Sequence, residues 1–146
     1  MLSQPSSGCR EKETAMDGLI TVPSPFGPTE TMNRLEAEVR AKSMHVFARI
    51  DHAAGAVSAG LDLRPTELLI FGNPQAGTKL MQQSQVIGLE LPLKVLVWQD
   101  AAGQTWLSYD EPRWLAARYG IADQTAAVTD AMTNALAALA KHATAG

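Results

Sequence analysis

The segment at residues 67–72 (ELLIFG) constrains the fold most strongly, because four apolar residues follow Glu67 without any polar alternation. A strand solvated on one face alternates apolar and polar residues, whereas a continuous apolar run is typical of a strand inside a sheet. Asn73 and Pro74 come next, and this pair is typical of an N-cap and the first residue of a helix. The sequence therefore predicts a central strand that leads directly into a helix, with Leu80 and Met81 on the buried side of that helix.

The remaining segments indicate an α+β fold. We predict further strands at residues 19–22, 46–52, 93–98 and 105–109, and helices at about residues 28–42, 110–119 and 123–142. The last two strands form a hairpin, and the small-residue stretch at residues 53–60 after the second strand favours a helical turn. The order β-α-β-β-α-β-β-α-α does not alternate strictly, which favours a small, mostly antiparallel sheet with helices packed on one face.

Composition limits the function classes. A chain of 146 residues, 46% of them hydrophobic, fits one domain with a real core. The formal net charge of −3 provides no basic surface for nucleic acid or an anionic membrane. No window approaches the roughly 18 consecutive apolar residues of a membrane helix. We therefore expect no nucleic-acid partner, no membrane association and, from the lack of an export signal alone, a cytoplasmic location.

Four strings carry a resemblance to a known family. They are FARIDH at 47–52, PTELLIFGNPQAGTKLM at 65–81, LPLKVLVW at 91–98 and YDEP at 109–112. In order and spacing they resemble the domain-of-unknown-function 302 family over about residues 18–121. The resemblance implies a small α+β fold, similar in class to TATA-binding-protein-like folds and assembled as a homodimer. It implies no established activity.

Three parts of the chain are distinguished. Residues 1–16 are polar and lack periodicity, which predicts a disordered tail, and the single cysteine, Cys9, lies there and excludes an internal disulfide. Residues 17–121 form the family domain. Residues 122–146 carry the last helix, which packs on the domain or extends from it.

The second strand ends in the most suggestive polar cluster, Arg49, Asp51 and His52. Strand alternation places His52 beside Ala48 and Ile50, which predicts partial burial, and places Arg49 and Asp51 close enough for a local ion pair. A histidine beside carboxylates can act as a general base. The alternative is a structural histidine, with an Arg–Asp pair that holds the strand in place.

Residues 72–79 (GNPQAGTK) match a phosphate-binding loop only in part. That loop needs Gly, Lys and then Ser or Thr, whereas here Thr78 precedes Lys79, so a nucleotide hydrolase is not predicted. The backbone amides after Asn73 could still hold a carboxylate or phosphate, with Lys79 nearby. The alternative is that Asn73 only caps the helix, and that Gly77 only lets helix and sheet approach closely.

Glu67 is the remaining candidate acid or base, because it is a carboxylate at the start of an apolar strand. It could equally pair with Arg64 or Lys94. His45 and His52 lie seven residues apart and on opposite faces of the predicted strand, so we predict no metal site, and nothing in the sequence calls for a cofactor.

Three functions stay open, and we rank them in this order. The first is a non-enzymatic module that binds a small organic or anionic ligand in a cleft between sheet and helix. The second is a metal-independent enzyme that uses His52 or Glu67 as acid or base on a small metabolite. The third is a structural or regulatory dimerisation module that uses its aromatic residues and last helix. The predicted polar lining of the cleft comprises Arg49, Asp51, His52, Asn73, Thr78 and Lys79.

Overall fold

The computed structural model describes residues 16–146. Cys9 and all of the predicted tail except Met16 therefore lie outside the described residues. The described part contains five strands, five α-helices and one 3-10 helix at Gln85–Glu90. The strands are β1 (Leu19–Ser24), β2 (His45–Asp51), β3 (Thr66–Gly72), β4 (Leu93–Gln99) and β5 (Thr105–Asp110), and the α-helices are α1 (Pro28–Ala41), α2 (His52–Ser58), α3 (Pro74–Gln83), α4 (Pro112–Arg118) and α5 (Ala126–Thr144).

All five strands form one antiparallel sheet in the order β1-β5-β4-β3-β2. The predicted mostly antiparallel α+β class, with helices on one face, is therefore confirmed. β3 is hydrogen-bonded on both sides, to β2 and to β4, which confirms its prediction as an interior strand. β4 and β5 form the predicted hairpin.

The helical face of the sheet carries the hydrophobic core. Leu69 and Phe71 of β3 are fully buried there, and Val95 and Val97 of β4 lie beside them. The α1 side chains that the sequence placed on one stripe, Met32, Leu35 and Val39, are all fully buried. Helix α5 completes the core, with buried side chains at Met132, Leu136, Leu139, Ala140 and Ala143.

The opposite surface of the sheet, which we call the open face, is formed by the alternate residues of the same strands. These residues are absent from the core cluster and from the side chains packed against it. The open face consists of Leu19, Thr21 and Pro23 of β1, Ala48 and Ile50 of β2, Thr66, Leu68 and Ile70 of β3, Lys94, Leu96 and Trp98 of β4, and Trp106, Ser108 and Asp110 of β5.

Two local features differ from the predictions. The strand β2 contains a bulge, because Val46 pairs with Phe71 while Ala48 pairs with Ile70. The helical turn suggested for residues 53–60 is the seven-residue helix α2, which begins at His52. The side chain of Asp51 accepts a hydrogen bond from the Ala54 amide and so caps this helix, which ends β2 one residue earlier than predicted.

Candidate functional site

The helix that follows the central strand forms one wall of a cleft. Asn73 caps α3 as predicted, since its side-chain oxygen accepts a hydrogen bond from the Gln75 amide at 2.9 Å. This helix, the 3-10 helix, the start of β4 and the middle of α5 enclose a cleft of about 220 Å³. The cleft lies on the helical side of the sheet. Its apolar walls are Phe47, Met81, Leu91, Pro92, Leu93 and Met132, and its polar side chains are Asn73 and Thr78.

Gly77 keeps this cleft open. A Cβ at Gly77 would lie 3.7 Å from Leu91 Cδ1 and 4.0 Å from Met81 Cε, which are ordinary contact distances. Close approach of helix and sheet, the structural alternative considered for this glycine, therefore does not require it. A side chain at position 77 would instead extend towards the cleft walls. The flexible thioether chains of Met81 and Met132 give those walls the capacity to adjust to different ligand shapes.

A second groove of about 420 Å³ adjoins the cleft between α3 and α5. Asn73, Leu93 and Met132 line both spaces, so the two are neighbours. Small alanine side chains of α5 form one wall of the groove, and Lys79 contributes its only charged side chain within the described residues. The cleft and the groove are therefore mostly lined by apolar residues, and the cationic side chain of Lys79 lines the groove.

Arg49 lies in a different environment, an ion network at the β2 edge of the helical layer. Its guanidinium binds both carboxylate oxygens of Glu67, at 3.1 and 3.0 Å. It also donates to Glu36 at 3.1 Å and to Asn33 at 2.8 Å. Hydrogen bonding to Glu67, then to Glu36, raises the pKa of Arg49 above its ordinary value. These contacts use the guanidinium and both Glu67 oxygens to join β2, β3 and α1.

The local ion pair predicted between Arg49 and Asp51 is not formed, because Asp51 caps helix α2 and Arg49 turns towards Glu67. The predicted partial burial of His52 is also wrong. His52 is the first residue of α2 and is exposed, since β2 ends at the capping residue before it.

Glu67 pairs with neither of its two predicted partners. Lys94 Nζ donates to the carbonyl oxygens of Glu90 and Pro92, at 2.9 and 3.2 Å, on the opposite face of the sheet. Arg64 Nε donates to the Gln99 carbonyl at 3.2 Å. The sequence did not point to Arg49 as the partner of Glu67, because the two are 18 residues apart and meet only through the β2–β3 pairing.

The structure divides the six predicted lining residues into two groups. Asn73 and Thr78 line the cleft, and Asn73 and Lys79 line the adjoining groove. Arg49, Asp51 and His52 line neither space and do not share one hollow with the other three. A binding role for any of the six stays a prediction. Sequence reasoning missed the apolar walls, since Phe47 reaches the cleft from the bulged strand and Met132 comes from the last helix.

Comparisons with known proteins place the chain in a family. The sequence profile of the family described as Domain of unknown function DUF302 matches residues 20–139. The crystal structure of an uncharacterized conserved DUF302 protein from Bacillus stearothermophilus has a TM-score of 0.77 with this chain. The match covers 88% of this chain and 99% of the Bacillus chain, at 23% sequence identity. At this identity the likeness supports the fold alone. The expected likeness to TATA-binding-protein-like folds stays a prediction.

Curated relatives come from Brucella. The protein named Fluoride-specific ion channel FluC 1 of Brucella suis biovar 1 is 45% identical over 126 residues, which are 86% of this chain and 50% of the relative. The protein of the same name from Brucella abortus biovar 1 is 45% identical over 126 residues, or 47% of its length. The chain thus spans about half the length of these relatives.

These names correct the expectation of no membrane association. An ion channel acts in a membrane, and the expectation rested on the net charge and the apolar runs of this chain alone, which do not report on the other half of the relatives. Across residues 16–146, none of the helices has both the length and the apolar character required for crossing a bilayer.

Proposed function

From the premise that this chain belongs to the family Domain of unknown function DUF302, we propose that it is a non-enzymatic domain that binds a small organic anion. The observation that carries the proposal is the cleft beside α3, which has apolar walls and two polar side chains, Asn73 and Thr78. Ligand sites are typically concave and mostly apolar, with a few polar groups that orient the ligand. A compact apolar body fits this cleft.

The adjoining groove supports an anionic group on the ligand. Lys79 lines this groove, and Asn73 lines both the groove and the cleft. A ligand whose apolar body fills the cleft could extend a carboxylate or similar group towards Lys79. This group would gain an ionic contact with Lys79 and would stay hydrated. The proposed ligand class is therefore a small molecule with an apolar body and one negative charge.

The enzyme alternative has weaker support. Both carboxylate oxygens of Glu67 accept hydrogen bonds from Arg49, which leaves this group poorly placed to exchange protons with a substrate. His52 is exposed at the start of α2 and lies outside the cleft lining. The test is His52→Ala, because an acid–base role predicts lost turnover with ligand binding intact.

The Brucella relatives suggest where such a domain operates. They are named as fluoride-specific ion channels, and this chain matches about half of their length. Since residues 16–146 contain no helix that could cross a membrane, we propose that the matched half is a domain outside the bilayer and that the other half conducts the ion. The domain would then couple ligand binding to an ion channel. The cytoplasmic location and the homodimer stay predictions.

The binding proposal is tested by thermal denaturation with defined probes. We expect sodium benzoate or sodium hexanoate to raise the melting temperature in a saturable way, because a ligand that binds only the folded state stabilises it. Gly77→Leu fills the cleft and should abolish the shift. Gly55→Leu is the matched control, since a Cβ at this other helical glycine meets no atom within 4 Å. An equal shift in both variants would place binding elsewhere, and no shift with either carboxylate in the wild type would refute the proposed ligand class.

The channel coupling needs a separate experiment. Fluoride efflux from vesicles that hold the Brucella suis relative would be compared with efflux after removal of the half that matches this chain. We expect the truncated protein to conduct fluoride still and to lose any response to the carboxylates. Loss of all conduction in a correctly inserted truncated protein would contradict the division into two halves.

A further inference from the structure

We propose that the segment at residues 57–63, which we call the apolar tip, contacts the surface of a lipid bilayer. Its three large apolar side chains, Val57, Leu61 and Leu63, are 71%, 66% and 48% exposed. The inference rests on the proposed function in one respect, since that function places the matched half of the Brucella relatives beside a membrane-embedded half. It does not depend on the ligand, because the tip precedes β3 and the cleft lies at the other end of that strand.

The tip projects from the body of the domain. All residues from 57 to 65 are exposed, which is the longest exposed run within residues 16–146. Of the eight exposed large hydrophobic side chains in this described part of the chain, three lie in the tip. Exposed apolar residues scattered singly are ordinary, whereas a concentration of them marks a contact with a partner or a membrane.

The backbone of the tip is already hydrogen-bonded within the turn that ends α2. Gly60 has a positive φ of 77°, and its amide donates to the Val57 carbonyl at 3.0 Å. The Leu61 amide donates to the Ala56 carbonyl at 2.8 Å, which completes a Schellman motif. Unpaired amides are costly in a lipid environment, whereas these amides can leave water with their partners in place.

Both ends of the tip are fixed to the domain. Asp51 caps α2 at one end, and at the other end Arg64 Nε donates to the Gln99 carbonyl at 3.2 Å. The Gln99 amide in turn donates to the Pro65 carbonyl at 3.0 Å. Because these contacts order the segment before it meets a partner, little conformational entropy is lost on contact. The tip is therefore prearranged to present its apolar side chains.

Shape and charge favour lipid over a protein partner. Residues 53–61 contain no charged side chain, and the charges of Asp62 and Arg64 cancel. The tip has aliphatic side chains only, whereas the centres of protein interfaces are enriched in aromatic residues and arginine. The headgroup region of a bilayer accepts a small apolar projection without requiring a complementary shape. The absence of net charge at the tip predicts binding to zwitterionic lipid.

The expected affinity is weak and suits a tethered domain. Val57, Leu61 and Leu63 together carry somewhat fewer carbon atoms than a myristoyl chain, which binds a bilayer with an association constant of about 10⁴ M⁻¹. We therefore expect an association constant of about 10³ M⁻¹ for the separate chain. A domain joined to a membrane-embedded half is held close to the lipid, so a contact of this strength would stay formed.

The test is cosedimentation of the chain with phosphatidylcholine vesicles. Half of the wild type should bind at about 1 mM lipid. Leu61→Asp and Val57→Asp should each weaken binding by about 10-fold or more, because a carboxylate must then approach the apolar region of the bilayer. Vesicles that also contain phosphatidylglycerol should bind the chain no more tightly, because the charges at the tip cancel. Circular dichroism checks that each variant is folded.

Leu89→Asp is the matched control, since Leu89 is 78% exposed on the 3-10 helix, which precedes β4 at the cleft end of the sheet. This variant should bind vesicles as the wild type does. A wild type that stays in solution at about 10 mM lipid overturns the proposal, and so do equal losses in Leu61→Asp and Leu89→Asp. Binding only to vesicles that hold the other half of the Brucella suis relative would overturn it in favour of a protein partner.

Thermal denaturation with the two carboxylates separates this inference from the proposed ligand. Leu61→Asp should keep the rise in melting temperature, and Gly77→Leu should keep vesicle binding. Loss of wild-type vesicle binding with the thermal rise intact overturns the membrane contact alone, and the converse result overturns the ligand alone. The fluoride-efflux experiment tests the division of the relatives into two halves independently of both.

Discussion

The two faces of the sheet use apolar residues for different purposes. On the helical face Leu69 and Phe71 are fully buried under helices of the same chain. On the open face Leu68 and Ile70, the alternate residues of the same strand, are only partly buried and contact no helical core. Hydrophobic composition alone does not distinguish these faces, because β3 is apolar on both sides. The comparison teaches that an apolar run indicates an interior position in a sheet without showing which molecule covers each side.

The sharpest test of this comparison uses two adjacent leucines. Leu69→Ala should lower the free energy of unfolding by about 3–4 kcal/mol, because it leaves a cavity in a close-packed core. Leu68→Ala should cost about 1 kcal/mol in the monomer, since its side chain is only partly buried. Urea denaturation of both variants measures these costs. It is carried out at two protein concentrations, because dimerisation through the open face would add only to the cost of Leu68→Ala. Equal costs in dilute solution would show that the two faces are equivalent.

The ion network at the edge of the helical face should show the next largest effect. Arg49→Met removes the partner of Glu67 and one partner of Glu36, and we expect a loss of about 1–3 kcal/mol because both carboxylates are mostly shielded from water. Arg113→Met is the control, since its pair with Asp130 lies on the surface and should contribute under about 1 kcal/mol. Urea denaturation at pH 7 compares the two, and equal losses would contradict a structural role for Arg49.

The open face has its own polar test. Ser108→Ala removes the acceptor of the Trp98 indole and the hydroxyl partner of Thr21, so we expect a loss of about 1 kcal/mol. Ser58→Ala on the exposed end of α2 should change stability by less than about 0.5 kcal/mol. Tryptophan fluorescence during urea denaturation measures both. An unchanged midpoint for Ser108→Ala would show that the indole finds another acceptor.

The smallest expected effect concerns pH. Hydrogen bonding to Arg40, and then to Arg49, lowers the pKa of Glu36 despite the opposing effect of burial. A carboxyl whose folded-state pKa is lowered stabilises the fold above its ordinary pKa, and this contribution is lost as the pH falls through the folded-state value. The difference in melting temperature between wild type and Glu36→Gln should therefore shrink between pH 6 and pH 3. A constant difference over this range would contradict a lowered pKa.

Much of the fold could be predicted because its signals are local. The Asn73–Pro74 helix start, the apolar stripe of α1 and the late hairpin all follow from residues that are close in sequence. The bulge in β2 and the capping role of Asp51 could not be predicted. Both depend on how β2 meets β3 and α2. Strand alternation alone predicted a partly buried His52, whereas the structure places His52 at the exposed start of α2.

The candidate site was only partly predictable for the same reason. Asn73, Thr78 and Lys79 belong to one helix and its N-cap, and they line the cleft or the adjoining groove. Arg49 was expected to line the same cleft as these three residues. Its guanidinium instead binds Glu67 and Glu36, which are distant from it in sequence.

By itself, the sequence determined the α+β class, the positions of most elements and the family, because periodicity, capping residues and short strings are properties of neighbouring residues. Only the tertiary structure decided which polar residues meet, which helix closes the cleft and which face of the sheet the helices of residues 16–146 cover. Those outcomes depend on contacts between segments far apart along the chain. Such contacts are set by the packing of the whole domain, and no local pattern specifies them.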